Sequence, residues 1–316
     1  MLKKIILVLF SVLLVVYLLR QIDPREMYRV IVNIKPAYLA AGLAMFVAGH
    51  LIRAYRFSIL LNGKVPMKSL FSIIAVQTAA VGFMPFRSGE FSLIYLLKRD
   101  HDVEYPLGAA TLILAKVLDF LVVVPLFFIS FGSLSVIPEF FRELLPWAGG
   151  LFFLTLASLF MLGRGREIYA KLPNFFKEGP IPDSALMVSV KKVFKAAEVI
   201  RSKKTLAASL GVTVFLWVFL YGFTFLVYLG VGLKFSLLEM TFITTAMSIF
   251  SNLPIHSPGA FGTTESFWTL MLSALGVPKP MGIATGFATH IISILFTLLF
   301  MLYGLELVWK RKAKAN

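Results

Sequence analysis

The chain has 316 residues, of which 59% are hydrophobic and only 15% are Asp, Glu, Lys or Arg. A soluble domain carries about 25% charged residues, and a mean hydropathy of +0.86 with 31 Phe identifies lipid as the solvent. A soluble enzyme, a disordered chain and a disulfide-stapled module are excluded, the last because there is no Cys. The formal charge of +15 is what Lys and Arg concentrated in cytoplasmic loops produce, so no nucleic-acid partner is inferred.

Long apolar runs occur at about 5–19, 37–53, 68–84, 106–131, 144–162, 206–229, 237–253 and 281–305. In hydrocarbon the backbone must satisfy itself within a helix or a closed barrel, and barrel strands would alternate over about ten residues. These runs do not alternate, so they predict about eight long helices. Two shorter pieces, about 88–97 and 262–275, each follow a Pro/Gly break. The expected fold is an all-α polytopic integral membrane protein, one transmembrane domain over 1–316. Its halves, about 1–162 and 206–316, are joined by segment 163–205. Lys3 and Lys4 before Ile5 look like the start of a signal peptide. Arg20-Gln21-Ile22-Asp23-Pro24 follows without a small-residue cleavage site, so a retained first span is expected.

Charge sets the orientation. Segment 53–68 carries Arg53, Arg56, Lys64 and Lys68 without an acid, and segment 163–205 has ten Lys or Arg against four acids. The tail carries Lys310, Arg311, Lys312 and Lys314. All three, with both termini, are expected in the cytoplasm of a plasma-membrane protein. Eight simple crossings would put 163–205 outside. The conflict disappears if 68–97 and 237–275 each begin and end on one side, as re-entrant hairpins or as two crossings apiece. Residues 184–201 place Leu186, Val190, Val193, Ala197 and Ile200 near one face, which predicts an amphipathic helix. Its basic face suits either an anionic leaflet or solvent.

The first break reads Val81-Gly82-Phe83-Met84-Pro85-Phe86-Arg87-Ser88-Gly89-Glu90. The second runs from Ser251 and Asn252 through Pro254, His256, Ser257, Pro258, Gly259 and Gly262 to Glu265. Pro lacks the backbone donor and Gly tolerates unusual dihedrals, so both helices are expected to stop and restart. Paired breaks in opposite halves point to a transporter site. A restarted helix offers free N–H groups and its positive dipole end to Ser88, Ser257 or an anionic phosphate. Glu90 and Glu265 fall in the first turns, either as local caps or as groups that meet a cationic headgroup or carry protons. Arg87 has the planar fork that suits phosphate, or can snorkel to a membrane face.

Lys116 and Asp119 lie three apart in the span 106–131, a spacing that permits a direct pair. His256 sits in the second break. His290 lies in the last span, either lining a polar route or bonded to a neighbouring helix. Gln77 and Asn252 suit a polar lining. No P-loop, zinc-protease or dinucleotide motif occurs, so no enzyme activity, cofactor or metal is expected.

Pro85-Phe86-Arg87-Ser88-Gly89-Glu90 and Pro258-Gly259-Ala260-Phe261-Gly262-Thr263-Thr264-Glu265, with Leu275-Gly276-Val277-Pro278, resemble signatures of a known family. That family is the flippase-like transmembrane region of lysylphosphatidylglycerol synthases, and the likeness covers nearly the whole chain. Where the family commonly shows Glu-Arg-x-x-Asp, this chain has Ala115-Lys116-Val117-Leu118-Asp119, and a later membrane Arg is His290. The resemblance implies translocation of a phospholipid or polyprenyl-phosphate lipid between leaflets, with Arg87 and Lys116 on the phosphate. The family's synthase domain is absent from these residues, so aminoacyl transfer is not expected. The alternative is a noncatalytic accessory or scaffold for an enzyme of lipid or cell-surface glycan synthesis.

Overall fold

A computed structural model of the chain describes residues 15–21, 24–132, 202–253, 256 and 258–315, with isolated positions at 13 and between 143 and 157. The spans expected at 5–19 and 144–162 lie largely outside the described residues. The amphipathic segment 184–201 and Ser257 lie wholly outside them. The described residues are all-α: α1 (Pro24–Val32), α2 (Pro36–Leu60), α3 (Met67–Phe83), α4 (Phe91–His101) and α5 (Tyr105–Gly132) precede the central segment. After it come α6 (Lys203–Gly230), α7 (Leu237–Ser251), α8 (Thr263–Ala274) and α9 (Lys279–Ala315). Short 3₁₀ turns, Pro85–Glu90 and Pro258–Ala260, fill the two breaks. Helices α2, α5, α6 and α9 are long and apolar enough to cross a membrane, while α3 and α7 are shorter apolar helices. The chain is a multipass membrane protein.

Local chemistry sets most helix ends. Pro36 opens α2 at a position where its missing N–H costs nothing. In α7, Ser236 and Glu239 exchange hydrogen bonds as a capping box. Two boundaries differ from expectation. Segment 20–36, which lies between two of the expected spans, contains α1. The span expected to end at 53 continues as α2 to Leu60, which moves Arg53 and Arg56 from a cytoplasmic loop into the bundle. Arg56 is only 1% exposed, and the helix carries it there because an acid on α5 meets it, as described below.

Because lipid tails are as apolar as Leu, helices in a membrane associate through close packing rather than hydrophobic expulsion. The pairing of α2 with α6 relies on small residues from both sides. A Cβ on Gly49 would lie 3.2 Å from Leu220, and one on Gly222 would lie 3.4 Å from Met45. Gly42 faces Val227 and Gly230 faces Tyr38 in the same way. Elsewhere Phe127 of α5 stacks on Phe242 of α7 with ring centres 5.9 Å apart. Helix α9 presses Gly286 against Trp268 of α8, and Gly304 against Ala75 of α3. The outward faces remain apolar: Phe215 and Val218 on α6, and Leu295, Leu299 and Leu302 on α9, are exposed. That surface suits acyl chains.

Candidate functional site

The first break is a tight reversal. Helix α3 ends at Phe83, Met84 is extended, and Phe86 and Arg87 both take left-handed dihedrals (φ 54° and 55°). Such conformations cost side-chain-bearing residues of order 1–3 kcal/mol each, and they aim the Arg87 guanidinium back over the turn. Gly89 lets the turn close, since a Cβ there would fall 2.1 Å from the backbone carbon of Ala80. No other residue fits. Ser88 does not cap α4 as expected; its hydroxyl donates to the Pro85 carbonyl at 2.8 Å, and α4 starts without a side-chain cap.

The second break uses Gly259 (φ 69°), Ala260 (φ 54°) and Gly262 (φ 83°) to turn into α8. The two breaks touch. The Phe86 N–H donates to the His256 carbonyl at 3.1 Å, and the Arg87 guanidinium donates to the Ser251 carbonyl. Lys116 of α5 reaches the same place, donating to the Asn252 side-chain oxygen at 3.0 Å. His256 is buried, with one ring nitrogen 3.2 Å from the Phe250 carbonyl and the other 3.2 Å from the Thr263 hydroxyl. Its bonds hold its own loop in shape.

Beside the first break is a cavity of about 110 Å³ walled by α2, α3, α5 and the turn. Among the described residues Arg53, Arg56, Arg87 and Lys116 line it, with Glu90 and Asp119 as the acids. Gln77 and Thr78 add neutral polar groups. Glu90 Oε1 accepts from Arg87 Nε at 2.7 Å and lies 2.7 Å from Lys116 Nζ. Asp119 accepts both terminal nitrogens of Arg56, at 2.6 and 3.2 Å, and the Trp217 indole N–H at 3.1 Å. The Lys116–Asp119 pair expected from spacing is therefore replaced by two other pairs. The bidentate fork of Arg56 matches a carboxylate better than an ammonium does, which leaves Lys116 to swing towards Glu90.

Glu265 belongs to a separate cluster. It is fully buried, with Oε2 accepting the Gly262 N–H at 2.6 Å and Oε1 2.6 Å from His290 Nδ1. Glu265 is thus a local cap that also binds the neighbouring helix. Glu90 makes no cap bond and spends its carboxylate on cations from the turn and from α5. The acids that look alike in sequence are not equivalent. Gly259 and Gly262 serve the turn, Ser257 lies outside the described residues, and His290 faces Glu265 and the Phe261 ring.

Sequence reasoning missed Arg53 and Arg56 as site residues. The signal was their i, i+3 spacing on a run that continues through Ala54, Phe57 and Leu60, all buried. Among the described residues no group of three or more His, Cys, Asp or Glu is placed to hold a metal ion.

No curated protein and no solved structure matches the chain. The family model for the lysylphosphatidylglycerol synthase TM region matches residues 4–300. It spans nearly all the elements above, including both breaks, and the chain belongs to that family.

Proposed function

We propose that the protein moves a phosphate-bearing lipid, a phospholipid or a polyprenyl phosphate, between membrane leaflets. Membership of the family makes it a flippase-like, lipid-handling membrane module at the family level. The observation that carries the finer reading is the contact of the two broken helices beside a cavity rich in cations. Irregular backbone at membrane depth is tolerated where it lines a polar site, and paired breaks mark the binding site in transporters built from inverted repeats.

In this reading the halves 1–162 and 206–316 are inverted repeats, and each break is the tip of a re-entrant hairpin. The lipid phosphate enters the cavity while its chains stay in the bilayer. Alternate opening towards each leaflet completes the transfer. Segment 163–205 and both termini face the cytoplasm, where enzymes of lipid or glycan synthesis would supply or consume the lipid.

Reconstitution tests it. Liposomes holding the full chain and an acyl-labelled fluorescent phosphatidylglycerol are treated with an impermeant quencher. Quenching of both leaflets is expected with protein, and of the outer leaflet alone in empty liposomes. Outer-leaflet quenching alone with protein present would move the reading to an accessory scaffold, for which the internally paired acids would be a fixed lock.

A further inference from the structure

The charges around the cavity are not balanced, and the imbalance has a location. Glu90 is occupied by Arg87 and Lys116, and Asp119 by Arg56 and Trp217. Arg53 lines the same cavity and has no hydrogen bond or ion pair among the described residues. Arg56 commits its terminal nitrogens to Asp119 and Thr213, which leaves its buried Nε without a partner among the described residues. Among the same residues the buried Thr78 hydroxyl of α3 has none either. An unpaired cation and unspent donors in a bundle within lipid are costly unless a ligand or water meets them.

We infer that the cavity is built for an anionic headgroup, a phosphate with no compensating amine, and that Arg53 is the residue that receives it. This rests on the translocation reading for its biological meaning but not for its chemistry. Among the described residues, four cations against two acids leave an excess of two positive charges on the walls. Phosphate oxygens accept from Arg53, Arg56 Nε and the Thr78 hydroxyl without breaking an existing pair, and the guanidinium fork suits them. A cationic aminoacylated headgroup meets the opposite situation. Both acids are already occupied, so its ammonium must displace Lys116 or Arg56 and then sit beside Arg53. Repulsion at that range in a low-dielectric site is large. Arg87 and Lys116 shape the site; they are not its free phosphate ligands.

Calorimetric titration of the purified full chain in detergent tests the assignment, using water-soluble headgroups in place of lipids. Glycerophosphoglycerol, its lysyl ester and inorganic phosphate are compared on wild type, Arg53→Gln and Arg53→Lys. Glycerophosphoglycerol is expected to bind wild type and the lysyl ester to bind at least tenfold more weakly. Arg53→Gln is expected to weaken binding about tenfold or more, the loss of a charge-assisted hydrogen bond, and Arg53→Lys to retain part of it. Arg53 pairs with no acid among the described residues, so its loss uncovers no buried charge there, and equal thermal unfolding of the variants confirms a folded protein. Inorganic phosphate binding as tightly as glycerophosphoglycerol supports a site for phosphate from either source; much weaker binding supports a lipid headgroup. Equal binding of the lysyl ester, or unchanged binding by Arg53→Gln in a folded protein, overturns the inference. Binding without leaflet exchange in liposomes would uphold this site and defeat only the translocation reading.

Discussion

Lys116 Nζ and Glu90 Oε1 lie 2.7 Å apart, which joins the middle of α5 to the turn that interrupts the preceding helices. The same ammonium donates to Asn252 at the other break. Replacing Glu90 by Gln is expected to leave Lys116 and Arg87 without their counter-charge and to lower stability. Breaking a buried pair costs roughly 3–5 kcal/mol, and the partial exposure of Glu90 to the cavity puts this change at the low end. Thermal unfolding of Glu90→Gln, Lys116→Met and the double variant measures the coupling. A loss in the double variant equal to the sum of the two single losses would show that the contact has no energetic weight.

Asp119 is expected to couple to Arg56 and much less to Lys116. Asp119→Asn leaves a buried guanidinium uncompensated, whereas Arg56→Met with Asp119→Leu removes both charges and recovers most of the folded yield. A larger coupling between positions 116 and 119 than between 56 and 119 would contradict the bidentate pair.

Gly89→Ala is expected to abolish most folded protein, because the added methyl overlaps the Ala80 backbone, which cannot move as a side chain would. Gly82→Ala is the control. A Cβ at Gly82 meets nothing within 4 Å, and Ala in a helix is favoured over Gly by about 0.5–1 kcal/mol. Size-exclusion yields of the two variants should differ sharply.

Glu265→Gln keeps an oxygen for the Gly262 N–H and a partner for His290, so a loss of no more than about 1 kcal/mol is expected. Glu265→Ala removes the cap and leaves buried groups unmatched, at a cost of roughly 2–3 kcal/mol. Wild-type stability in the Ala variant would remove the cap from the account of α8. Leaflet exchange by Glu265→Gln should stay close to wild type, in contrast to Glu90→Gln.

Orientation can be read by labelling, since the natural chain has no Cys. Ser184→Cys and Ala315→Cys are each expected to react with an impermeant maleimide only from the cytoplasmic face. Modification of position 184 from the outer face alone would reverse the proposed topology.

Helix positions were legible because uninterrupted apolar runs between Pro and Gly have few other solutions in lipid. The 105–132 and 203–230 helices fall within a few residues of the runs that announced them. Both breaks were legible for the same reason, through Pro85 and Pro258. Partners were not. In a helix that is apolar on every side, nothing in the pattern says which face meets which neighbour, so the spacing offers Asp119 only its nearest cation, Lys116. Its actual partner, Arg56, lies on another helix. The basic run 53–68 misled for a related reason: a charge that is paired inside the bundle looks the same in sequence as one placed in a cytoplasmic loop.

The glycines between α2 and α6 bear on how the cavity can open. With a side chain already against Gly42, Gly49, Gly222 and Gly230, neither helix can slide along the other without collision, so the pair behaves as a single beam. Asp119 fastens α5 to that beam through Arg56 and Trp217. The cations of α2 are thereby carried by a frame of three helices, α2, α5 and α6. Lys116 bonds to both breaks at once, beside the direct bonds of Phe86 to His256 and of Arg87 to Ser251, so in the proposed cycle any separation of the two breaks has to release Lys116 and Arg87 together.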